Sequence, residues 1–172
     1  AEAHAVAKAL GGNALTGSAS TEAGFQKLAA NSRLIHFAGH ALVDDEDSSK
    51  TALLLAPGAD AGDGFLTLGE LLELRLGATL VTCSGCRTAR GEAFTGEAVG
   101  ALARCLLAAG ARNLLLSLAP VDDAKAPVFV QHFTAALARG SQAATALAAA
   151  QRAMLATKTN AHPAFWATFV LH

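Results

Sequence analysis

Three apolar runs of strand length, residues 34–38, 80–83 and 113–118, alternate along this chain with segments of helical spacing. Strands that are apolar throughout, rather than on every second residue, are buried on both faces. Alternation with helices then predicts a mostly parallel sheet with a helical layer on each side, a three-layer α/β/α sandwich. The helical segments cover residues 1–10, 21–30, 67–74, 96–109, 126–138 and 141–156. Thr21 reads as the N-cap of the second. Thr67 with Glu70 reads as the capping box of the third. Gly11, Gly110 and Gly140 stand where helices stop. Shorter extended pieces are expected at residues 51–56, 65–66 and 166–171, and exposed loops at 44–50, 57–64 and 85–96. In sheets of this kind ligands and chemistry collect at the carboxyl ends of the strands. The three main runs lead there into Gly39-His40, into Gly85-Cys86 and, past Pro120, into Asp122-Asp123.

Bulk properties narrow the function classes. At 172 residues, residues 1–172 fit one domain with a substantial core. A net charge of −1 without a basic run gives nucleic acid no positive stripe to bind. Gly, Arg or Asp interrupts every apolar stretch short of a membrane span. The three cysteines, Cys83, Cys86 and Cys105, form no even set for a disulfide framework, which fits a reducing compartment. There is no signal peptide and no initiator Met, so the chain reads as an excerpt of a longer protein.

An imidazole and a thiol delivered to one sheet edge make a nucleophilic pair, because the thiolate is the reactive form and a neighbouring imidazole generates it. The pattern points to His40 as general base and Cys86 as nucleophile in acyl transfer. Gly39 and Gly85 permit the sharp exits from the strands. The backbone N–H groups of Cys86 and of Gly39 or Ala41 are placed to form an oxyanion hole. Two other readings use the same residues. Cys83 and Cys86 with His36 and His40 make a two-Cys, two-His zinc set, although Cys83 and His36 fall inside apolar runs and would point into the core. The C-x-x-C pair alone also suits a redox motif, but Arg87 to Gly91 read as loop where that motif wants a helix. Asp122 and Asp123 read as an N-cap for the following helix, as an acidic pocket wall for a basic side chain, or as one of each. Glu92 and Glu97 flank the cysteine loop, with Glu97 favoured at a helix start. Cys105, among Leu102, Leu106 and Leu107, reads as core.

The strings Leu34-Ile35-His36-Phe37-Ala38-Gly39-His40-Ala41, Ala52-Leu53-Leu54-Leu55-Ala56 and Leu80-Val81-Thr82-Cys83-Ser84-Gly85-Cys86-Arg87-Thr88 resemble the CHAT peptidase domain of the caspase and separase clan. Gly96 to Arg104, Ala108 to Arg112, Leu118 to Asp123, Ala149 to Met154 and His162 to Ala167 follow in that family's order. The resemblance implies a caspase-like sandwich whose first strand lies upstream of Ala1. It places the base on His40, the nucleophile on Cys86 and an aspartate pair on Asp122 and Asp123. By analogy with separases it implies cleavage after a basic residue.

The resemblance further implies a cysteine endopeptidase that needs no metal or other cofactor. Its expected partners are a specific protein substrate and a neighbouring sensor or repeat region that regulates it. The expected setting is bacterial and cytoplasmic, in defence or cell death, with no direct contact to nucleic acid or membrane. Four positions depart from the family's pattern. Ala41 replaces the usual Gly after the histidine, Arg87 the Glu after the cysteine, Ala89 a Gly, and Ala119 a Trp. Arg87 puts positive charge beside the thiol and enters the substrate-binding set. These departures keep a second reading in play, a catalytically silent scaffold of the same fold.

Overall fold

The computed structural model describes residues 1–172 except 43, 45, 46, 59–61 and 85–96. In chain order the elements are α1 (Glu2–Leu10), α2 (Glu22–Ala29), β1 (Leu34–Phe37), β2 (Ala41–Leu42), β3 (Ala52–Leu54), β4 (Phe65–Thr67), α3 (Leu68–Glu73), β5 (Leu80–Cys83), α4 (Glu97–Ala108), β6 (Leu114–Ser117), α5 (Ala126–Ala138), α6 (Ala143–Leu155) and β7 (Phe169–Leu171). Four strands form the main sheet in the order β1-β5-β6-β7. The first three run parallel and β7 is antiparallel to β6. The mostly parallel sandwich expected from the sequence is therefore present.

Alternation along the strands divides the interior in two. Ile35, Phe37, Val81, Cys83, Leu114 and Leu116 face one helical layer, where they meet Ala29, Leu71, Leu102 and Leu106. Leu80, Leu115 and Phe169 face the other, where they meet Val6, Phe129, Phe133, Ala146, Ala150 and Met154. Leu114, Leu115 and Leu116 are all buried, so β6 is covered on both faces as its unbroken apolar sequence requires. Phe129 of α5 stacks on Phe169 of β7 with centroids 4.0 Å apart.

The helix ends follow local chemistry. Thr21 accepts from the Gly24 N–H at 3.1 Å and caps α2. Thr67 and Glu70 form the reciprocal box that starts α3. Gly11 closes α1 in the left-handed conformation, φ 68°. Gly110 ends α4 at φ 114°, and its Cα lies so close to the Leu76 carbonyl that no Cβ fits there. The Leu76 N–H in turn donates to the Ala109 carbonyl at 2.7 Å, which fastens the segment after α3 to the end of α4.

Sequence reading did not anticipate a second sheet. The short pieces β2, β3 and β4 pair antiparallel in that order, separate from the main sheet. β2 is only two residues long and carried no pattern of its own. The buried Glu22 carboxylate of α2 accepts from the Gly64 N–H at 2.8 Å and ties the β3–β4 hairpin to the helical layer. No helix of the described residues is long and apolar enough to cross a membrane.

Candidate active site

The candidate site begins from the register of β1 on β5. Leu34 faces Leu80, His36 faces Thr82 and Phe37 faces Cys83. On the other side of β5, Cys83 faces Leu116 of β6. Phe37, Cys83 and Leu116 thus form one row at the carboxyl ends of three neighbouring parallel strands. His40 stands three residues beyond that row in the sequence following β1, and Cys86 three residues beyond it in the sequence following β5. Cys86 itself, Arg87 and Glu92 lie outside the described residues, as does the loop assigned to residues 85–96.

His40 is exposed and sits where the chain passes from the large sheet to the small one. Its carbonyl accepts from the Leu54 N–H at 2.8 Å, which fixes the backbone in the small sheet. Gly39 is needed just before it, because a Cβ there would come within 2.7 Å of Cζ of the buried Phe37 ring. Ala41 faces Leu53 one step after the bonded His40–Leu54 position. Antiparallel ladders alternate bonded and non-bonded pairs, so the Ala41 N–H turns away from β3.

On the other edge of β1, the Arg33 and Phe37 carbonyls are used by the β5 side, from Leu80 and Ser84. In a parallel strand alternate residues point both N–H and C=O to one side, so Leu34, His36 and Ala38 turn theirs the opposite way. They face a groove of about 730 Å³, walled by α1 and α2 and reaching Gly39.

Asp122 and Asp123 follow the carboxyl end of β6 and are exposed. Asp122 Oδ1 accepts from the Ala124 N–H at 2.8 Å, and its carbonyl accepts from Lys125 and Ala126. The helix-capping expectation needs correction: the N-cap of α5 is Lys125, without a side-chain bond, and Asp122 caps the turn one step earlier. α4 starts at Glu97 as expected.

His36 departs from a plain core histidine. Its side chain is only 5% exposed, yet both ring nitrogens are engaged. Nδ1 lies 2.6 Å from Thr82 Oγ1, and Nε2 lies 2.8 Å from Glu2 Oε1. The same Glu2 oxygen accepts from Ser84 Oγ at 2.6 Å. This assignment takes His36 away from any zinc set, and no metal-binding cluster of His, Cys, Asp and Glu occurs among the described residues. Sequence reading missed the network. Glu2 is more than thirty residues from His36 and eighty from Ser84, and only the sheet register reveals that His36 and Thr82 are partners.

Burial pushes the Glu2 carboxyl up, but the hydrogen bonds from His36 and Ser84 and the nearby positive charges outweigh it, leaving the group below the ordinary glutamate range. A carboxyl whose folded value is depressed contributes stability above its unfolded value and loses it as pH falls through the folded one. Unfolding free energy is therefore expected to fall with acid from about pH 5 downward. Denaturant titrations of wild type and Glu2→Gln should show a shallower acid slope in the variant. Burial also raises the Cys105 thiol, and Cys83 is 1% exposed. Both are thus shielded from reagents.

A family model described as the CHAT domain matches residues 1–172. The chain belongs to the CHAT domain family. This CHAT domain is caspase-like and related to the cysteine peptidases, in accord with the fold and with the resemblance carried by its strand-end motifs. Among curated proteins it is similar to mouse tetratricopeptide repeat protein 28, 38% identical over 107 residues, covering 62% of this chain and 4% of the relative. It is also similar to human tetratricopeptide repeat protein 28, 31% identical over 202 residues, covering 99% of this chain and 8% of the relative. The CHAT domain thus spans less than a tenth of the length of the relatives it matches. Both relatives are mammalian, so a bacterial setting draws no support from them.

Proposed function

We propose that this CHAT domain is a cysteine endopeptidase with a His40–Cys86 dyad. One observation carries the reading: β1 and β5 are adjacent and parallel, with Phe37 opposite Cys83, so base and nucleophile follow the same row by the same number of residues. His40 takes the thiol proton, and the Cys86 thiolate attacks the substrate carbonyl carbon. The tetrahedral oxyanion is held by backbone N–H groups of Gly39, Ala41 and Cys86. The out-turned Ala41 amide supports that assignment. The His40 imidazolium then protonates the leaving amine, and water, giving its proton to His40, attacks the thioester; the C–S bond breaks, the carboxylic acid product leaves and the Cys86 thiol is restored.

Asp122 and Asp123, beyond β6 on the same edge, favour a basic residue before the cleaved bond, with Arg87 as a further substrate contact. The names of the two relatives support a tetratricopeptide repeat region as the regulatory partner. The reading is completed by a specific protein substrate in the cytoplasm.

A thiol-reactive peptide probe tests the reading, with Arg or Asp next to the reactive group. Stoichiometric labelling of Cys86 is expected, about tenfold faster with Arg, and lost in His40→Ala. Labelling no faster than a free thiol, or unchanged in His40→Ala, would leave a catalytically silent scaffold. The buried Cys83 and Cys105 should stay unlabelled in either case.

A further inference from the structure

A carboxylate, an imidazole and two hydroxyls are gathered under the ends of β1 and β5, and the dyad as described makes no use of them. Glu2 Oε1 accepts from Ser84 Oγ at 2.6 Å and from His36 Nε2 at 2.8 Å, and His36 Nδ1 meets Thr82 Oγ1 at 2.6 Å. Ser84 is 8% exposed, the Glu2 side chain 15% and the His36 side chain 5%. Among the described residues, the titratable side chain that faces Glu2 is His36.

Such a cluster is not the cheapest way to fill a core. Apolar side chains of similar volume commonly give equal or greater stability, and what a fully bonded polar network adds is a fixed position. Here the fixed atoms are at informative places. Ser84 is the first residue beyond β5, two before Cys86, and its N–H already donates to the Phe37 carbonyl at 3.2 Å. His36 is on β1, four residues before His40. One carboxylate oxygen therefore bridges the two strands that lead to the base and the nucleophile, and it reaches them from a third element, α1.

We propose that Glu2 is a positioning residue for the dyad: by holding Ser84 and His36 it sets the exits of β5 and β1 and thereby the approach of the Cys86 thiol to the His40 ring. The inference rests on the endopeptidase reading. It assigns Glu2 no contact with substrate.

Alkylation by iodoacetamide, read at the Cys86 peptide by mass spectrometry, tests it without knowledge of the natural substrate. A thiol correctly placed beside His40 is ionised near neutrality, and a misplaced one returns toward a pKa of about 8.5. At pH 7, Ser84→Ala and Glu2→Ala are expected to slow Cys86 alkylation about tenfold, with the difference vanishing near pH 10 where either thiol is ionised. Glu2→Gln should restore most of the rate, because its amide oxygen still accepts both bonds. Adding Ser84→Ala to His40→Ala should slow the reaction no further than His40→Ala alone, since both act through one pair.

A merely structural role predicts the opposite sign: looser packing exposes Cys83, Cys86 and Cys105 together and speeds all three. That result, or wild-type rates in Ser84→Ala and Glu2→Ala beside a slow His40→Ala, would overturn the proposal and leave the dyad standing. A wild-type rate in His40→Ala would remove the dyad, and this inference with it.

Discussion

Cys86→Ala is expected to reduce cleavage by three orders of magnitude or more while leaving the melting temperature nearly unchanged. The proposed chemistry has a single covalent nucleophile, and without sulfur no thioester forms. Backbone oxyanion donors and substrate binding persist, so a small residual rate over solution is compatible with the loss. His40→Ala should fall in the same range, because an unassisted thiol is mostly protonated at neutral pH. Residues that act as one unit are not additive, so the double variant should be no slower than Cys86→Ala. His40 is exposed, which is why stability should survive its removal. The measurement pairs single-turnover cleavage of a protein or basic-residue peptide substrate with thermal unfolding of the same samples. Full cleavage by Cys86→Ala would exclude the assignment outright.

The largest stability effect is expected at Gly110. Alanine there meets two separate penalties. Its φ of 114° lies where L residues are strained, and its Cβ would be driven into the Leu76 carbonyl oxygen, which is backbone and cannot rotate aside. Relief would require breaking the Leu76–Ala109 hydrogen bond that fastens the segment after α3 to α4. A loss of about 3 kcal/mol or more is expected, roughly 6–12 °C in melting temperature for a domain of this size. Gly140→Ala supplies the comparison. Its φ of 88° is also positive, but nothing lies within 4 Å of the added carbon. That variant should lose only about 1 kcal/mol. Equal losses at the two glycines would show that the Leu76 contact is not what makes Gly110 necessary.

How far the residues declared this arrangement depends on whether the signal was local. The strands of the main sheet were legible because unbroken apolar runs such as Leu114 to Leu116 have no other stable place than a covered sheet. Caps were legible because Thr21, and Thr67 with Glu70, satisfy amides within three residues of themselves. His40 and Cys86 stood out as chemistry-bearing residues after glycines at strand ends. What no local signal gave was the strand order, and the β1–β5 pairing sets the two strands that precede them side by side. The small sheet was not legible. β2 owes its existence to pairing with β3 rather than to its own two residues, and tertiary context decides such strands. The Glu2–His36–Ser84 network was out of reach for the same reason: it joins positions whose proximity only the finished topology creates. Asp122 shows a milder gap, a correct capping chemistry placed one turn too late.

The passage of the chain from one ladder into the other at His40 carries a last consequence. Its main-chain carbonyl is anchored to Leu54, while the preceding residues are anchored beside β5. The ring is thus hung between two independently built frameworks, and its reach is set by how they dock rather than by either alone. Small rotations of the β3–β4 hairpin, which Glu22 braces from α2, would swing the imidazole relative to the end of β5 without melting a single strand.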